Sequence, residues 1–237
     1  MKTKEVLGRI AILFAWIAAN STFADTVSAI RSPFSYGDAG EMTAYTLPDT
    51  FLPGYVPSTT VAGGFQTFSA QGNLTFVYGK TYQLVLSQSD ASGHALTEGA
   101  AMLYYDFATG SLAGYDYNSA DAYARTQDSG ELQSALWNLQ GYALPGSQYF
   151  TGGAGNPFYD LAKSDLGTNL TAANDGQYNV DIMQLWDNGS PAQALLTIPV
   201  TDAADTFFML ASVMAFMAFM VCARANKDNG PWPFRPR

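Results

Sequence analysis

The chain has 237 residues and a mass of 25.4 kDa, with 20 acidic against 11 basic side chains and a formal charge of −9. A hydrophobic content of 48% is enough to bury a core, which excludes wholesale disorder, and a pI near 4.3 excludes nucleic acid as a partner, because phosphate recognition needs clustered cations. The single cysteine excludes a disulfide framework, a Cys-based zinc site and an iron–sulfur cluster, and no cofactor is implied.

At the N-terminus, Lys2, Lys4 and Arg9 precede an apolar run over residues 10–19, and Thr22 and Ala24 are small residues at −3 and −1 of a cleavage point. A basic region, a short apolar stretch and small residues predict a secretory signal peptide over residues 1–24. The run is too short to span a bilayer, which takes about 20 apolar residues. Residues 25–200 then form one exported domain with 16 acidic and four basic side chains, a net of −12.

Within that domain, strand-like alternation bounded by Gly, Pro and Asn predicts strands at 42–47, 64–70, 74–78 and 82–87, and again at 178–186 and 194–198. The middle has a different period. Thr97 as cap, Glu98 in the first turn and Gly110 as stop predict a helix over 97–109. Leu132, Ala135, Leu136 and Leu139 recur at i, i+3, i+4 and i+7, a second helix with Asp128 or Ser129 at its start and Gly141 at its end. Asn156-Pro157 opens a third, running to about Leu166 with Gly167 as its stop. Strands, helices, then strands predict a mainly β, α+β domain: a β-sandwich or barrel with a central helical insertion.

Leu132-Gln133-Ser134-Ala135-Leu136-Trp137 resembles the Gln-containing segment of bacterial thioester domains, adhesin modules that join a Cys thiol to a Gln side chain. With Leu96-Thr97-Glu98-Gly99, Leu103-Tyr104-Tyr105 and Asn156-Pro157-Phe158-Tyr159, the likeness covers most of residues 40–200. In that chemistry a thiolate attacks the Gln carboxamide and ammonia leaves. Here the position matching the Cys, in Gly64-Phe65-Gln66-Thr67-Phe68-Ser69, is Ser69, and the only cysteine, Cys222, lies in the tail. The resemblance therefore implies a thioester-like fold without the crosslink, with Ser69 and Gln133 as its degenerate positions and Gln133 as a buried hydrogen-bonding residue.

Residues 207–223 are apolar but for Ser212 and are followed by Arg224 and Lys227. At about 1.5 Å per residue a helix there reaches roughly 25 Å, a transmembrane helix with its basic end inside. Just before it stands Ile198-Pro199-Val200-Thr201-Asp202-Ala203-Ala204-Asp205-Thr206. Motif, apolar helix and basic end together resemble a PEP-CTERM sorting signal of the VPD-type variant, with Pro199, Val200, Thr201, Asp202 and Thr206 as motif positions. The resemblance implies an exosortase-like transpeptidase as partner and an exopolysaccharide-producing bacterium as setting.

Other candidates read as structural. His94 lies in a polar turn-like stretch and is expected on the surface, with no nucleophile elbow beside it. Residues 116–121 offer oxygen ligands but lack the Gly and terminal Glu of an EF-hand, so a turn is expected. Asp106 and Asp116 could serve glycoside hydrolysis only as a pair close in space. The sequons at Asn73, Asn169 and Asn188 matter only in a eukaryotic secretory pathway. Tyr104, Tyr105, Tyr115, Tyr117, Tyr123 and Trp137 suit a core, or else sugar faces or protein partners. The leading expectation is a non-enzymatic exported protein of the cell envelope or extracellular matrix, with exopolysaccharide or matrix proteins as partners. The alternatives are a surface adhesin module and a polysaccharide-acting enzyme.

Overall fold

The computed structural model describes residues 26–199, apart from 38, 47–55, 59, 76, 119 and 144–149. These belong to the first of two compact units, Met1–Pro199, and the second, Val200–Arg237, lies wholly outside the described residues. So do the expected signal peptide and the expected transmembrane helix over 207–223. Among the described residues no helix is long and apolar enough to cross a membrane.

Among the described residues seven strands form one antiparallel sheet: β1 (Thr26–Tyr36), β2 (Ala39–Thr46), β3 (Phe65–Thr67), β4 (Thr81–Ser87), β5 (Asp181–Asp187), β6 (Ser190–Pro191) and β7 (Leu195–Thr197). Their order is β3-β2-β1-β4-β5-β6, with β7 also paired to β5. The chain beyond β3 continues along β7: Leu196 N–H donates to the Phe68 carbonyl (3.0 Å), Ala70 N–H donates to that of Ala194 (2.9 Å), and Ser69 bridges Leu195. The Thr67 hydroxyl adds a bond to the Leu196 carbonyl at 2.6 Å. The two edges of the sheet are therefore hydrogen-bonded to each other.

Period-2 alternation sends Val27, Ala29, Met42, Ala44, Phe65, Tyr82, Leu84, Met183, Leu185 and Leu195 to one shared core. The alternate face supplies Phe68, Ala70, Ile182 and Leu196 to a second core built with the helices. Those helices lie in sequence between β4 and β5: α1 (Glu98–Ala108), α2 (Ala122–Leu139) and α3 (Pro157–Leu166), the last followed by a 3-10 turn, Gly167–Thr171. Phe107 of α1 stands edge-on to Phe68 with ring centroids 4.8 Å apart. The architecture is α+β, as the residue periods predict.

Local signals place two helices well. The Thr97 hydroxyl accepts from Ala100 N–H at 3.4 Å, and the Asn156 amide oxygen accepts from Phe158 and Tyr159 N–H at 3.0 and 3.2 Å. The third needs correcting. α2 begins at Ala122, capped by Asp121, whose carboxylate accepts from Ala124 N–H at 3.0 Å, and not at Asp128 or Ser129. Its polar first half is held by an ion pair from a distant strand, described below. The described part of 74–78 is not strand. Val77 N–H instead bonds the Tyr82 hydroxyl at 2.7 Å, and the turn ends as Gly79 N–H meets the Ala29 carbonyl at 2.8 Å. β1, unforeseen, fills the centre of the sheet.

Candidate functional site

Ser69 and Gln133 are brought together. The segment after β3 carries Ser69, bridged to Leu195 of β7, and α2 lays Gln133 against it. The Gln133 side chain is fully buried. Its Oε1 accepts from the Ser69 backbone N–H at 2.9 Å and its Nε2 donates to the Ser69 carbonyl at 2.8 Å, so the amide acts as a short extra strand. The Ser69 hydroxyl turns to other partners. It donates to the Gln71 carbonyl at 2.5 Å and accepts from Gln193 Nε2 at 2.7 Å and from Gln71 N–H at 3.2 Å. These partners are amides, and none is a base that could take the hydroxyl proton. A carboxamide with both ends bonded and a hydroxyl without a base make a structural pair, and no acyl transfer follows from this arrangement.

A second polar cluster surrounds Asp90, buried at the start of a tight loop closed by the Ser89–Ala95 bridge. Asp90 Oδ1 accepts from Ser92 N–H (2.8 Å) and His94 N–H (3.1 Å), and Oδ2 accepts from the Tyr142 hydroxyl. His94 Nδ1 lies 3.2 Å from that hydroxyl. Burial pushes the Asp90 carboxyl up, but the bonds from Tyr142 and from the His94 and Ser92 backbone outweigh it and hold the group below the usual carboxylate range. Burial and the Asp90 carboxylate together push the Tyr142 phenol well up. His94 is on the surface as expected, its side chain 58% exposed. Its Asp–Tyr neighbours could not be read from the sequence.

The third cluster is an ion pair. Arg125 of α2 gives Nε to Glu41 Oε1 at 2.6 Å and a terminal nitrogen to Oε2 at 3.0 Å, a bidentate bond with both side chains buried. The Tyr115 hydroxyl adds a bond to Oε1 at 2.5 Å, and the guanidinium lies 4.1 Å from the centre of the Phe34 ring. Burial first, then the Glu41 charge, push the Tyr115 phenol well up.

The remaining acids do not pair as Asp106 with Asp116. Burial and the charge of Asp165 push Asp106 up, whereas Asp116 lies beside Asp128, whose carboxylate accepts from Asp116 N–H at 2.7 Å. Asp116 and Asn118 each accept from the backbone two residues on, the turn that residues 116–121 predict. Among the described residues no group of three or more His, Cys, Asp or Glu is placed to hold a metal ion. Of the central aromatics, Tyr104, Tyr115 and Trp137 are core, Tyr117 is half-buried, and Tyr105 and Tyr123 are exposed.

A groove of about 400 Å³ lies elsewhere, on the outer face of β4 and β5, lined among the described residues by Gln83, Val85, Gln184, Trp186 and Gly189. Nothing in the sequence marks these residues as a site, although Gln83–Val85 and Gln184–Trp186 are the positions that alternate with the core residues of both strands. Of the sorting-motif positions only Pro199 falls within the described residues, its carbonyl accepting from Asn179 Nδ2 at 3.2 Å. Val200, Thr201, Asp202 and Thr206 lie outside them. No family model, curated protein or solved structure matches the chain.

Proposed function

We propose that the chain is a non-enzymatic exported protein of the bacterial cell envelope or extracellular matrix, tethered by its C-terminal apolar segment and processed by an exosortase-like transpeptidase. The supporting observation is the position of the tail motif. The last described strand ends at Thr197 and the motif begins at the next residue, Ile198, so a sorting signal would follow directly on that strand. The signal-peptide pattern over 1–24 supplies the other end. In this reading the sheet with joined edges is a β-barrel, the helices are its insertion, and Ser69 with Gln133 is a thioester-like pair without the bond.

Intact mass of the protein from its native host, with both termini sequenced, tests the reading. A chain that begins at Asp25 and ends near Thr201 or Asp202 supports it. One that retains residues 1–24 sinks export by cleavage, and one that retains 207–237 sinks sorting. A further deficit of about 17 Da, the ammonia lost in acyl transfer, would restore the covalent adhesin. The polysaccharide-acting enzyme draws on the raised Asp106 beside Asp165. Release of reducing ends from a polysaccharide, lost in Asp106→Asn, would establish it.

A further inference from the structure

The outer face of β4 and β5 is unevenly covered. At one end Ile182 is buried under the helical core. Toward the other end the same face carries Gln83, Val85, Gln184 and Trp186, and with Gly189 these line the groove. Gln83 stands opposite Trp186 and Val85 opposite Gln184, so the two amides lie on one diagonal and the two apolar groups on the other. Gln184 Nε2 donates to the Ser89 carbonyl at 2.6 Å, which fixes the plane of that amide. The indole Nε1–H of Trp186 is enclosed and has no hydrogen-bond partner among the described residues.

Among the described residues no lining side chain carries a charge, whereas residues 25–200 carry a net of −12. An anionic ligand would enter against that field and meet no cation in the groove. A cationic ligand would find better partners among the acids elsewhere on the surface. The lining matches a neutral polyhydroxyl ring. The indole and the valine methyls suit the C–H face of a pyranose, and each primary amide both donates and accepts, as paired hydroxyls do. The volume lies within the range of small-ligand pockets, about 300–1,000 Å³.

We propose that this groove binds a neutral glycan through one or two of its pyranose rings. The proposal deepens the matrix reading and takes its biological setting from it, but the binding itself depends on the folded body alone. The test is native affinity electrophoresis of the full chain in detergent, in gels containing dextran, galactomannan or mixed-linkage β-glucan, with alginate as the anionic control. The expected result is retardation by at least one neutral polymer and none by alginate. Gln83→Ala and Trp186→Phe should each weaken that binding by about tenfold. Tyr123→Ala, at an exposed ring outside the groove, should leave it unchanged. Gln83 is exposed, so its loss threatens no core even if Trp186→Phe disturbs folding. Absence of retardation by all three neutral polymers, stronger binding to alginate, or unchanged affinity in Gln83→Ala would overturn the proposal. Protein that binds glycan but keeps its tail would sink sorting alone, and processed protein that binds no neutral glycan would sink the groove alone.

Discussion

Replacing Glu41 by Gln tests what fastens the helical layer to the sheet. Glu41 lies on β2 with no solvent access, and its two oxygens take the Arg125 fork at 2.6 and 3.0 Å and the Tyr115 hydroxyl at 2.5 Å. Glutamine keeps the shape but removes the charge, and it turns one oxygen into an N–H pair facing donors. Breaking one side of a buried ion pair costs about 3–5 kcal/mol, because the remaining charge stays buried without compensation. In a domain of this size 1 kcal/mol moves Tm by about 2–4 °C, so Glu41→Gln should lower Tm by about 6–20 °C. Arg125→Met should act alike. The double variant Glu41→Leu with Arg125→Met should be less destabilised than the two single changes added together, since no charge is left behind. Urea unfolding should show a lower midpoint at unchanged slope. A Glu41→Gln protein within about 1 kcal/mol of the parent, or a double variant equal to the sum, would refute this account of the pair.

Three further outcomes follow from the other contacts. Gln133→Leu orphans the Ser69 N–H and carbonyl and should cost about 2–5 kcal/mol; Gln133→Glu should cost more, since it sets a carboxylate oxygen against the Ser69 carbonyl, and equal costs in urea unfolding would argue against the two-bond geometry. Asp90 has a folded-state pKa below its ordinary value of 3.8, so it contributes stability that is present above that value and lost as pH falls through the folded one. The stability gap between wild type and Asp90→Asn should therefore narrow between pH 5 and pH 2, and a constant gap across that window would contradict the assignment. In Gly130→Ala the new Cβ would lie 2.7 Å from the Tyr36 ring and 2.8 Å from Phe150, which should destabilise by about 1–3 kcal/mol, measured as a fall in Tm that a neutral outcome would disprove.

What could be read from the residues was local. Thr97, Asn156 and Gly167 mark helix ends through bonds within one turn, and the alternation of 82–87 needs only the two faces of a strand. β1 escaped because its pattern is broken by buried Ser28 and Ser32 and by Pro33, which falls where its pairing with β2 shifts register between Arg31 and Ser35. The first half of α2 escaped for a related reason. Arg125 looks like a surface cation until Glu41, 84 residues away, is placed against it. At the site, Ser69 and Gln133 were legible as positions of interest, and the structure sets them side by side. The direction of the Ser69 hydroxyl was not legible, because Gln193 and Gln71 reach it only once the sheet edges meet. The groove depends on which outer positions the helices leave uncovered, a property of packing that no strand pattern contains.

The joined edges of the sheet bear on how the protein is made. Ser69 and Ala194 meet across 125 residues, and β7 is the last of the described strands to leave the ribosome. Until it arrives, the free sides of β3 and β5 present unpaired N–H and carbonyl groups to any neighbouring chain. Distant pairing of this kind is also slow to form. A cell producing the protein must therefore shield the growing chain until residue 197 has emerged, and a product stopped short of Leu195 would remain an open template for aggregation. The hazard ends only with the final strand, whatever strength the earlier contacts have gathered.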